Sequence, residues 1–144
     1  GPADAVVVGF TLSLDYAGLD RASAAVREGA RLIGTNTDPT FPTPEGLIPG
    51  AGALLAAVET ASRTDADVAG KPHGPMADLV RARAARIAFV VGDRASTDGL
   101  LARALGAPFG LVLSGVTRPE DVPGLDPPPD RVAETLRALV ASAG

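Results

Sequence analysis

A chain of 144 residues has the length of one domain and can bury roughly 70% of the surface its unfolded form exposes, enough for a hydrophobic core. A formal charge of -4, with acids and bases scattered, excludes the basic footprint of a nucleic-acid binder, and no apolar run approaches the roughly 20 residues that cross a bilayer. With no cysteine and one histidine, disulfides, thiolate sites and an ordinary zinc site are excluded, so any metal is expected to be hard and oxygen-bound.

Because only 3% of the residues are aromatic, the core is expected to consist of Ala, Val and Leu. The first residues lack the basic start and apolar stretch of a signal peptide, which makes the cytoplasm the expected location. The run Ala5-Val6-Val7-Val8-Gly9 predicts a strand, and residues 16–28 follow with helical spacing through Leu19, Ala22 and Val26 before Gly29. Arg31-Leu32-Ile33-Gly34 predicts a second buried strand. It opens into residues 35–50, where Pro39, Pro42, Pro44, Gly46 and Pro49 predict a long, stiff loop. Residues 51–62 are Ala-rich and helical, 67–69 a brief strand, and 75–83 helical again. Residues 87–91, apolar throughout and bounded by Gly92, give the strongest strand signal of the chain. A helix over 97–105 stopped by Gly106, a strand over 109–113 and a final amphipathic helix over 131–141 complete the series. Strands alternating with helices predict an α/β fold with a mostly parallel, Rossmann-like sheet covered on both faces.

Parallel sheets present functional groups at the carboxyl ends of their strands. The first such end here carries Gly92-Asp93-Arg94-Ala95-Ser96-Thr97-Asp98-Gly99. Gly92 permits a tight turn, Asp93 projects from the strand, and Asp98 lies about one helical turn later, so two carboxylates share a small space. Paired carboxylates call for a cation or a shared proton, and Mg²⁺ suits them because it accepts a few carboxylates and retains water or phosphate. A plainer reading has Asp93 ending the strand while Ser96 or Thr97 caps the next helix. The second end is Gly70-Lys71-Pro72-His73, whose lysine, held between Gly and Pro, can be aimed at a phosphate or at carboxylates, or can simply be solvated. His73 reads as a helix-start residue. The third is the loop from Gly34 through Asn36 and Asp38 to Pro49-Gly50-Ala51-Gly52, either a structured connector or a loop ending in a helix whose free amides approach a ligand.

Taken together, Gly-Thr-Asn-Thr-Asp at 34–38, Pro-Gly-Ala-Gly at 49–52, Gly-Lys-Pro at 70–72 and Gly-Asp-Arg-Ala-Ser-Thr-Asp at 92–98 resemble the NagD-like, type-IIA phosphatases of the haloacid dehalogenase superfamily. Ser114-Gly115-Val116-Thr117 fits the same branch, so the resemblance runs along nearly the whole chain in order. It implies a Rossmann-like core with an inserted cap. It further implies Asp93 as the metal-binding aspartate, Asp98 as the acid supporting that site, and Lys71 as the lysine stabilising charge on the nucleophile and the transferring phosphoryl group. By the same resemblance Asn36 and Asp38 lie in the cap, facing the substrate.

Members of that family begin with a strand carrying Asp-x-Asp-Gly, whose first aspartate is the nucleophile. Nothing of the kind precedes Gly9, where the early acids Asp4, Asp15 and Asp20 follow no suitable strand or lack the partner. The expectation is therefore a C-terminal portion, with residues 4–67 as part of the cap and 68–144 as the second half of the core. Such a chain belongs to a Mg²⁺-dependent hydrolase of a small phosphorylated metabolite but is inactive alone. Two other readings stay open: a non-catalytic phosphate-binding or regulatory module, and one half of a two-chain enzyme whose N-terminal half is a separate polypeptide. Neither nucleic acid nor membrane is an expected partner. Unpaired sheet edges lead instead to an expected homo-oligomer.

Overall fold

A computed structural model describes residues 2–141. The chain divides into two compact units, Gly1–Gly70 and Lys71–Gly144. Among the described residues no helix is long and apolar enough to cross a membrane.

The first unit contains β1 (Ala5–Val8), α1 (Tyr16–Arg27), β2 (Arg31–Gly34), β3 (Thr40–Thr43), β4 (Gly46–Pro49), α2 (Ala51–Ser62) and β5 (Asp67–Val68). Strands β1, β2 and β5 pair in that order, all parallel. Asp15 starts α1 by accepting the Gly18 amide at 2.7 Å, and Gly29, at φ +108°, carries the chain out of the helix into β2. The core is aliphatic: Val26, Leu32, Leu55 and Val58 are buried, with Val6, Val8, Leu19 and Val68 packed on them. Gly34 is required by this packing, since a Cβ there would lie 2.4 Å from a methyl of Leu55.

In the second unit α3 (Gly74–Arg83) leads through an irregular stretch to β6 (Val90–Gly92), a π-helical turn (Ala95–Gly99), α4 (Leu100–Leu105), β7 (Phe109–Val112), a 3₁₀ turn (Pro119–Gly124), β8 (Arg131–Ala133) and α5 (Leu136–Ala141). The three strands form a parallel sheet in the order β6-β7-β8. Phe109 and Leu111 of β7 bury one face with Ala95, Ala102, Val122 and Leu125. On the opposite face Gly110 makes room for Leu139 of α5, whose methyl would lie 2.5 Å from an added Cβ.

Five details differ from the sequence expectation. Residues 35–50 are not all loop, because β3 and β4 form an antiparallel hairpin, with Thr40 opposite Pro49 and Thr43 opposite Gly46. A two-stranded ribbon has outward edges where a proline needs no N–H donor, so Pro42 and Pro49 do not prevent pairing. The strand expected over 87–91 is only Val90–Gly92. Its partner register places Pro108, which cannot donate, next to the first pair Val90–Phe109, and Phe89 instead lies beneath the Arg131 guanidinium at 5.2 Å. The helix expected over 97–105 begins with the π-helical turn. Residues 131–141 split into β8 and α5, because Thr135 caps the helix with its hydroxyl 3.3 Å from the Ala138 amide while residues 131–133 pair with β7. Finally, the sheet of the first unit is covered on one face only. Its two crossovers advance in the same direction, and the right-handed rule then lays α1 and α2 on the same side, leaving Val7 64% exposed on the other.

Candidate active site

Lys71 and Asp98 meet within the second unit. The Lys71 ammonium donates to Oδ1 of Asp98 at 2.6 Å, across 27 positions of sequence. Asp98 is buried, with its side chain 5% exposed, whereas that of Lys71 is 48% exposed. A charge-assisted bond this short, from a half-exposed lysine to a dry carboxylate, fixes the ammonium in place and uses one of its three N–H donors, leaving the others for a ligand. The π-helical turn explains how Asp98 gets there. Its wider loop, closed by Asp98 N–H and Gly99 N–H on the Arg94 carbonyl at 2.8 and 3.4 Å, swings the carboxylate back over the end of β6. There Oδ2 accepts the Arg94 amide at 3.2 Å, and a Cβ on Gly92 would stand 2.2 Å from that oxygen. Gly92 is therefore glycine because Asp98 occupies the space of its side chain.

Asp93 sits one residue beyond β6 and is half-buried. Its Oδ2 accepts the Val116 amide at 2.8 Å, and its carbonyl accepts the Thr117 hydroxyl at 2.6 Å. Among the described residues Asp93 forms no ion pair. Neither Ser96 nor Thr97 caps a helix here, as the turn starts at extended Arg94 with no side-chain cap. The second-unit residues Lys71, Asp93 and Asp98 thus surround one strand end. His73 begins α3 with extended backbone, as expected.

The loop residues Asn36 and Asp38 belong to the first unit. Oδ1 of Asn36 accepts the Asp38 amide at 3.0 Å, a side chain closing a turn on its own backbone. The amides expected to be free at the start of α2 are partly occupied. Gly50 donates to the Pro39 carbonyl at 2.8 Å and Gly52 to that of Asp38 at 2.9 Å. The glycines there serve close backbone approach, since a Cβ on Gly52 would lie 2.3 Å from the Thr37 carbonyl oxygen.

Sequence reasoning missed the partners of Asp93. Thr117 and the Val116 amide lie in a segment singled out only through its resemblance, and a backbone N–H carries no residue signature. Among the described residues no three His, Cys, Asp or Glu side chains gather as a metal cluster. The donor chemistry nevertheless suits a hard cation. Mg²⁺ is typically held by one or two carboxylates, with water and substrate phosphate completing its shell. Among the described residues Oδ1 of Asp93 accepts no hydrogen bond and would suit such a cation, whereas both oxygens of Asp98 are engaged by Lys71 and Arg94.

A sequence profile described as HAD-hydrolase-like matches residues 68–139. The chain is 41% identical over 139 residues to D-glycerol 3-phosphate phosphatase of Mycobacterium tuberculosis, covering 94% of this chain and 39% of that protein. Among solved structures, a hypothetical protein of Pyrococcus horikoshii superposes with a TM-score of 0.91 at 37% identity, over 99% of this chain and 55% of the other. The M. tuberculosis glycerol phosphate phosphatase in complex with magnesium superposes with a TM-score of 0.83 at 42% identity, over 94% of this chain and 42% of the other. In each comparison this chain spans less than two thirds of the relative's length. The matched profile, the order of motifs and the parallel α/β architecture together establish that the chain belongs to the haloacid-dehalogenase-like hydrolases, in their NagD-like, type-IIA branch.

Proposed function

We propose that the chain supplies the lysine and metal half of a Mg²⁺-dependent phosphatase site acting on a small phosphorylated metabolite. The observation carrying this reading is the ammonium of half-exposed Lys71 held 2.6 Å from buried Asp98, at the strand end that bears Asp93. Its fixed cation offers charge to a transferring phosphoryl group without reorganising, which is how such sites lower a barrier dominated by developing negative charge. Asp98 sets the direction of the lysine. Asp93 would hold Mg²⁺, which supplies neutralisation of phosphate charge when bound. By this reading residues 4–67 are part of the cap, with Asn36 and Asp38 as its substrate-facing residues, and residues 68–144 are the second half of the core.

The 144 residues contain no Asp-x-Asp-Gly, so a covalent phosphoryl transfer through that aspartate has no first step within them. The purified chain alone is expected to show no Mg²⁺-dependent hydrolysis of p-nitrophenyl phosphate above buffer. Turnover that depends on Mg²⁺ and disappears in Asp93→Ala would contradict this.

A further inference from the structure

The geometry points to Thr117 as a positioning residue for the Asp93 carboxylate, acting with the backbone of residues 115 and 116 as a clamp. Three contacts converge on Asp93 from the segment after β7. The Thr117 hydroxyl donates to the Asp93 carbonyl at 2.6 Å, fixing its backbone, and the Val116 amide donates to Oδ2 at 2.8 Å, fixing its side chain. Gly115 closes the third side, because a Cβ there would stand 2.1 Å from Oδ2. Gly115 is not at a positive φ, so its backbone would accept alanine, and only the space taken by Asp93 forbids it. An aspartate held at its backbone carbonyl and at one carboxylate oxygen keeps a single side-chain orientation, leaving Oδ1 for a cation.

Thr117 is itself buried, with 9% of its surface exposed, and needs a partner for its hydroxyl. The Asp93 carbonyl is that partner. Thr117→Val keeps the shape and removes the donor, while Thr117→Ser keeps the donor.

This inference rests on the reading of Asp93 as a cation ligand, and Mn²⁺ titration followed by ¹H–¹⁵N NMR of the whole chain separates the two. In the wild type, paramagnetic broadening is expected to be centred on the amides of Asp93 and Val116 and to be lost in Asp93→Asn. Thr117→Val should weaken Mn²⁺ affinity about 10-fold or more, as loss of a group orienting a ligand does. Thr117→Ser should retain wild-type affinity, a rescue that packing alone would not give. Should Thr117→Val fail to fold, Gly115→Ala at its exposed position tests the same clamp from the other side, with the same weakening expected. Wild-type broadening lost in Asp93→Asn but unchanged in Gly115→Ala or in folded Thr117→Val would overturn the clamp and leave the ligand role of Asp93 standing. No broadening at Asp93 in the wild type would overturn both.

Discussion

Lys71 and Asp98 are unequal partners, and the inequality predicts which one the fold depends on. Replacing Lys71 by Met leaves a buried carboxylate with only the Arg94 amide, which should cost about 2 kcal/mol, the scale of a buried acceptor deprived of a charged donor that is itself half exposed. Replacing Asp98 by Asn leaves an ammonium that can turn to water, and should cost about 1 kcal/mol, the scale of one hydrogen bond. Urea unfolding followed by circular dichroism measures both. Equal losses would mean that burial of Asp98 does not set the balance. At this scale the sequence was informative where chemistry and strand ends coincide: Gly-Lys-Pro and the two aspartates after Gly92 were visible as candidates. What held them was not visible. The Arg94 and Val116 amides belong to the backbone, and the reasons for Gly92 and Gly115 are carboxylates that only the folded chain brings against them.

Among the elements, α2 shows how tertiary contact can reverse a local preference. Alanine in a helix is normally favoured over glycine by about 1 kcal/mol. At Gly52, however, a Cβ would meet the backbone of Thr37 at 2.3 Å, and backbone cannot swing aside as a flexible side chain can. Gly52→Ala should therefore destabilise, by about 2 kcal/mol, and a raised melting temperature would contradict the packing described for the 35–50 segment. The border between β8 and α5 gives a second prediction: Thr135→Ala removes the hydroxyl near the Ala138 amide and should cost about 1 kcal/mol in the same denaturation assay. Both features show why elements were only partly legible. Helical spacing identified α1, α2 and α3 because each has a clear boundary residue or a sustained pattern. The segment 131–141 is apolar enough for either period, and only pairing with Gly110–Val112 makes its first three residues a strand. Proline density likewise suggested a loop where a two-stranded ribbon tolerates proline.

For the molecule as a whole, the α/β class followed from alternation alone, while the one-sided cover of the first sheet depended on strand order, which no local pattern encodes. In the first unit Leu12 is 81% exposed and Tyr16 86%, with Val7 on the uncovered face and β1 at the sheet edge. Such apolar exposure beside a strand edge favours association. Sedimentation velocity should show concentration-dependent self-association, reduced by Leu12→Lys with Tyr16→Glu; a single monomer boundary at all concentrations would contradict it. The part of Lys71 and Asp93 in phosphoryl transfer is tested most directly by hydrolysis of p-nitrophenyl phosphate with Mg²⁺, using this chain joined to an N-terminal half that bears the Asp-x-Asp-Gly strand. Turnover should appear in the joined protein and fall roughly 100-fold or more on Lys71→Met and on Asp93→Ala. A folded, active protein whose turnover survives both substitutions unchanged would contradict the assignment of this strand end as the phosphoryl-transfer site.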